Sequence, residues 1–183
     1  MNMKVNTCCF FGHRKIEDTL ELRARLFEVV EKLIADENVD TFLFGSKSEF
    51  NTLCYEIVTK IKEKYPHIKR VYVRAEYPYI DDNYKTLLLE NYEDTYYPEK
   101  VVGAGKAVYV ERNCEMINNS SVCIIYFDEK TIPTTRKSGT KLALDYALKK
   151  GKRIINLKWI STTFDVLIFF NDCYSNIFLY GEK

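Results

Sequence analysis

With 183 residues, the chain is long enough for one well-packed domain and too short for two ordinary ones. Hydrophobic residues make up 46% and charged residues 29%, which excludes an intrinsically disordered chain and fits a soluble globular one. Lys and Arg number 27 against 26 Asp and Glu, a formal charge of +1, so no broad basic surface for duplex nucleic acid is expected, while a local cluster gripping a phosphate remains compatible.

Val5 to Phe11 is a short apolar run stopped by Gly12, the pattern of a buried strand ending in a turn. From Thr19, apolar residues recur at Leu22, Leu26, Val29 and Leu33, a helical period that closes near Asp36-Glu37-Asn38. Thr41 to Phe44 reads as a second strand, stopped by Gly45. Phe50, Leu53, Cys54, Ile57 and Ile61 mark a second amphipathic helix ending before Pro66, and Lys69 to Arg74 is a third strand. Residues 76–106 read as an irregular, tyrosine-rich insertion with a short helix around Tyr84 to Asn91. Val110 to Asn118 is helical. Val122 to Phe127 has the unbroken apolar character of a strand buried on both faces. Ser138 to Lys150 is a helix stopped by Gly151, and Arg153 to Leu157 a last strand. The tail from 158 to 183 includes Phe164, Leu167, Ile168 and Phe170 and is expected to pack on the domain or on a partner subunit, so a homo-oligomer is possible.

Strands alternating with helices imply crossover connections and an α/β fold with a mainly parallel sheet. In such sheets ligands bind beyond the carboxyl ends of the strands, where the connecting loops gather. Three loops fall on that edge. Gly12-His13-Arg14 offers a tight turn and a guanidinium able to hold a phosphate with two parallel bonds. Gly45, Ser46, Lys47 and, early in the next helix, Asn51 could cradle a phosphate or a ribose. Ser138, Gly139 and Thr140 open a helix, whose free N–H groups suit an anion but equally suit ordinary capping by Ser138. Arg112 and Asn113 lie in the helix before the strongest strand, where Arg112 is either solvated or turned toward a ligand.

The six cysteines form no C-x-x-C pair and the histidines are only two, so neither a metal site nor a cofactor is expected. Cys8, Cys9 and Cys123 sit in apolar runs and read as buried thiols of a reducing, cytoplasmic compartment. A Cys9–His13 nucleophile pair is disfavoured, because a thiol buried in a strand is inert. No signal peptide or bilayer-spanning segment is apparent, so no membrane partner is expected.

The segment Thr7-Cys8-Cys9-Phe10-Phe11-Gly12-His13-Arg14 resembles the "C-C-F-T-G-H-R" opening of the YpsA-like proteins of the SLOG superfamily. Arg112-Asn113-Cys114-Glu115-Met116 resembles their "R-N-x-x-M" segment, and Ser138-Gly139-Thr140 stands in the place of "G-G-T". The resemblance covers about residues 4 to 157. It implies a Rossmann-like three-layer sandwich with a mainly parallel sheet, and a nucleotide or nucleotide-derived ligand bound at the strand edge. Many relatives carry "G-x-A-x-G-x-D" after the second strand; this chain has Glu49 for the second glycine and Asn51 for the acid.

Two functions of different class follow. One is a binding or sensing module. The alternative is an N-glycosidase or phosphoribohydrolase like the LOG enzymes of the same superfamily, whose "P-G-G-x-G-T-x-x-E" motif ends in a catalytic glutamate. Aligning Gly139-Thr140 on that motif puts Ala143 at the glutamate position, and Asp145 lies about 200° further round the helix. Binding without the usual catalytic carboxylate is therefore the preferred reading. Glu111 and Glu115, near Arg112, are the residues that could supply an acid instead, and no catalytic residue is assigned.

Overall fold

A computed structural model of the chain describes residues 6–77, 79–128 and 138–158. The 159–183 stretch, with the expected burial of its aromatic residues, lies outside these residues. So do Arg136 and Lys137.

The strands are β1 (Thr7–Gly12), β2 (Thr41–Phe44), β3 (Lys69–Val73), β4 (Asp94–Tyr96), β5 (Val122–Tyr126) and β6 (Arg153–Asn156). They form one six-stranded sheet in the order β4-β3-β2-β1-β5-β6, and every pairing is parallel. The helices are α1 (Leu20–Ala35), α2 (Glu49–Lys64), α3 (Asp82–Leu89), α4 (Val108–Asn118) and α5 (Gly139–Lys149). A Rossmann-like three-layer sandwich results.

The apolar strands explain the layering. Successive strand side chains point to opposite faces. Cys8 and Phe10 of β1 join the core under α1 and α2, whereas Cys9 and Phe11 join the core under α4 and α5. β5 divides in the same way, with Ile124 on one face and Ile125 on the other, which is why neither strand alternates with polar residues. Phe10 stacks between Phe42 and Phe44, with ring centroids 6.0 and 5.1 Å away. Burying each such ring contributes roughly 2–3 kcal/mol.

Helix starts follow their capping residues. Thr19 accepts from the Leu22 N–H at 3.1 Å, Ser48 from Asn51 at 3.2 Å and Ser138 from Lys141 at 3.3 Å. Gly151, with φ of 61°, ends the turn after α5.

The tyrosine-rich region departs from the sequence reading in one respect. It contributes β4 to the edge of the sheet, where an irregular insertion was expected around α3. Three residues with an acid and a threonine give no apolar signature. The strand is held by pairing, with the Arg74 N–H donating to the Tyr96 carbonyl at 2.8 Å and Thr95 Oγ1 to the Tyr72 carbonyl at 2.8 Å.

The topology selects the site. From β1 the chain works outward through β2 and β3 to β4, then returns to place β5 on the other side of β1. The order reverses at β1, so a crevice opens between the carboxyl ends of β1 and β5, the usual ligand position in this architecture. Among the described residues no helix is long and apolar enough to cross a membrane.

Candidate functional site

The first loop leaves β1 at Gly12, paired with Tyr126 of β5. A Cβ at Gly12 would lie 2.3 Å from the Phe50 ring, so only glycine admits Phe50 here. Phe50 in turn stacks on Tyr126, with centroids 5.5 Å apart. His13 spans the crevice: its Nε2 accepts the Asp128 N–H at 2.9 Å, and its ring lies 5.6 Å from that of Phe127. Arg14 is exposed, and no hydrogen bond or ion pair holds its guanidinium among the described residues. Its carbonyl accepts the Glu49 N–H at 3.0 Å, while the Glu49 carboxylate accepts the Ile16 N–H at 2.9 Å. Loop one is thus stitched to the start of α2.

Burial lowers the His13 pKa, outweighing the opposing pull of the Asp128 carboxylate. A neutral imidazole is also what an acceptor Nε2 requires. The sign follows from linkage. A histidine whose folded pKa is depressed contributes its stability fully above the unfolded value, near 6.5, and loses it as pH falls through the folded value. Thermal melts between pH 7.5 and 5 should show the wild type losing roughly 2–4 °C more than His13→Gln, the worth of one hydrogen bond of about 1 kcal/mol. Identical pH profiles would show that the imidazole carries no such link.

The second loop follows β2. Ser46 Oγ accepts the Ser48 N–H at 3.2 Å, and Ser48 caps α2. Lys47 Nζ lies 5.6 Å from the Tyr84 ring centroid. Asn51 is buried, and its Nδ2 has no hydrogen-bond partner among the described residues. A Cβ at Gly45 would lie 2.6 Å from Nη1 of Arg112, so glycine lets the guanidinium lie against the loop backbone.

Arg112 is the unusual group. Only 5% exposed, it reaches from α4 across the carboxyl ends of β2 and β3. Its Nη1 donates to the carbonyls of Gly45 and, at 3.4 Å, Val73. Its Nε donates to Asn113 Oδ1 at 2.8 Å. Among the described residues Nη2 has no acceptor, and no carboxylate pairs with the guanidinium. Arg74, equally buried at 4%, is by contrast held by both oxygens of Glu76, at 2.6 and 2.8 Å. Burial lowers the Arg112 pKa, with nearby Tyr72, Tyr109 and Tyr84 acting the other way. A guanidinium still stays charged at neutral pH. Among the described residues a full positive charge therefore rests on neutral acceptors. Tyr72 completes this floor: its hydroxyl donates to the Gly45 carbonyl at 3.3 Å and accepts from Tyr84 Oη at 3.3 Å.

The third loop reaches α5. Ser138 spends its hydroxyl on capping, Thr140 is buried, and among the described residues no atom lies within 4 Å of where a Cβ at Gly139 would stand. Since α5 connects parallel neighbours β5 and β6, its N-terminus lies on the carboxyl edge of the sheet. Among the described residues no hydrogen bond joins Arg14 to it.

Gly45, Arg112 and Asn113 are thus in direct contact, and Gly12 and His13 adjoin the end of β5. Compared with models of known protein families and with curated proteins, the chain matches none. Sequence reasoning did not place Tyr72 here, and it named Tyr84 only within the tyrosine-rich insertion and Glu49 only in place of a glycine. It left Arg112 open, although Val108, Arg112 and Met116 recur every four residues, and this stripe faces inward.

Proposed function

We propose that this chain binds a nucleotide or nucleotide-derived anion at the carboxyl edge of its sheet, as a recognition module without the catalytic carboxylate of the LOG enzymes. The observation that carries the reading is the buried Arg112 charge, left without a carboxylate among the described residues beside Gly45 at the ends of β2 and β3. Phosphate oxygens suit the free face of such a fork. Lys47 and the exposed Arg14 add positive charge on the same edge. The resemblance of the opening segment and of Arg112-Asn113 to YpsA-like SLOG proteins supports the same ligand class.

The carboxylates bear on catalysis. Ala143 packs in the core under α5, 3% exposed, and offers no acid. Asp145 is exposed and paired with Lys141 at 3.0 Å. Glu115 accepts from Asn119 Nδ2 at 3.0 Å and lies 3.5 Å from Lys100 Nζ. Cleaving an N-glycosidic bond needs an acid or base held within hydrogen-bond reach of the reacting atoms. Calorimetric titration with AMP, GMP, CMP and UMP should give a measurable dissociation constant for at least one, while chromatography detects no free base. Turnover near 1 per second or faster would replace this reading with a phosphoribohydrolase, and the absence of binding to all four would remove the nucleotide.

A further inference from the structure

The tyrosines of residues 76–106 fall into two groups. Tyr84 and Tyr92 pack on the core beside Tyr55 and Tyr72, with Tyr72 and Tyr92 centroids 5.3 Å apart. Tyr77 and Tyr79 do not: they are 48% and 71% exposed. Both therefore leave much of their surface open to solvent. Together with Tyr97, they rim a cavity of about 400 Å³ floored by the buried Val101 and Val108. The volume falls within the range of small-molecule sites.

The cavity shares α4 with Arg112, through Val108 of its floor. Val108 stands one turn before Arg112 on α4, about 5–6 Å away between Cβ atoms. Tyr97 directly follows β4, and Glu76 follows β3, whose last carbonyl, Val73, accepts from Arg112. Glu76, the acid in the lining, is neutralised by Arg74 and also accepts the Asp81 N–H at 3.0 Å. Among the described lining residues the one carboxylate is therefore offset by Arg74. Gly103 and Gly105 form part of the wall, and among the described residues nothing lies within 4 Å of where either Cβ would stand.

Resting on the reading of Arg112 as an anion site, we propose that the Tyr77–Tyr79–Tyr97 cavity is a second subsite that takes the planar heterocycle of the same ligand. The ligand is then a mononucleotide-sized molecule, with its anion at Arg112 and its base stacked on exposed tyrosine rings.

The test compares AMP, GMP, CMP, UMP and ribose 5-phosphate by calorimetry, on wild type, on Tyr77→Ala/Tyr79→Ala and on Arg112→Lys. The wild type should bind its preferred nucleotide at least tenfold more tightly than ribose 5-phosphate. The double tyrosine variant should weaken the nucleotide roughly tenfold and leave ribose 5-phosphate unchanged. Arg112→Lys should weaken both. Unchanged nucleotide affinity in the tyrosine variant, with the Arg112 effect intact, overturns the base subsite and leaves the anion site standing. Equal weakening of both ligands in that variant also overturns it. A wild type that binds none of the five removes both proposals.

Discussion

Arg112→Met should weaken anion binding about a hundredfold while leaving the protein as stable as before, or more so. Most buried charges resist removal because a partner is left behind. Deleting one half of a buried ion pair typically costs about 3–5 kcal/mol for that reason. Here no carboxylate would be orphaned, and the Gly45 carbonyl keeps the Tyr72 hydroxyl as donor. Met has an unbranched chain that fills the channel beside Gly45 without carrying charge into it. The ligand loses its main counter-charge, worth about 3 kcal/mol or on the order of a hundredfold in affinity. A thermal melt and a titration on the same sample check both halves. A fall in melting temperature of 10 °C would mean that Arg112 is a structural strut, and its charge no sign of a ligand.

Gly12→Ala should be among the most damaging single-methyl changes in this chain. The added carbon would meet the Phe50 ring at 2.3 Å and the Phe50 Cβ at 2.5 Å. Phe50 has little room to retreat, because it is fully buried and stacked on Tyr126. Overpacking of this kind costs about 3 kcal/mol, a drop of roughly 6–12 °C for a domain of this size. The strand end would also shift, carrying His13 away from the Asp128 N–H. Pairing the substitution with Phe50→Ala gives a direct check. The double variant should be less destabilised than the sum of the two singles, because both changes act on one contact. Simple additivity would place the damage elsewhere.

These two residues also show what was legible in the sequence. Gly12 closes an apolar run, so its place at the end of a buried strand was readable, as were the other strong strands and the four longer helices. Its reason was not, since Phe50 is 38 positions away and the contact exists only in the folded sheet. β4 escaped because pairing holds it in the sheet, and its few side chains carry no period. Arg112 was nameable as a candidate, but its burial rests on the ends of β2 and β3, which sequence spacing does not bring together. Neighbouring Asp and Glu gave no warning either: whether a charge is paired is a property of space. The exposed Tyr77 and Tyr79 and the packed Tyr84 and Tyr92 are alike in composition, and only their surroundings separate them.

The reciprocal bonds between Glu49 and the Arg14–Ile16 backbone bear on how fast a ligand arrives and how much entropy its capture consumes. Two of the three edge loops share one rigid frame before any ligand is present. A ligand of the proposed kind would meet two loops already joined, so less chain freedom would be surrendered on contact. Association should then follow a single diffusive step rather than wait for a rearrangement, and differences between competing ligands should appear in how slowly they leave.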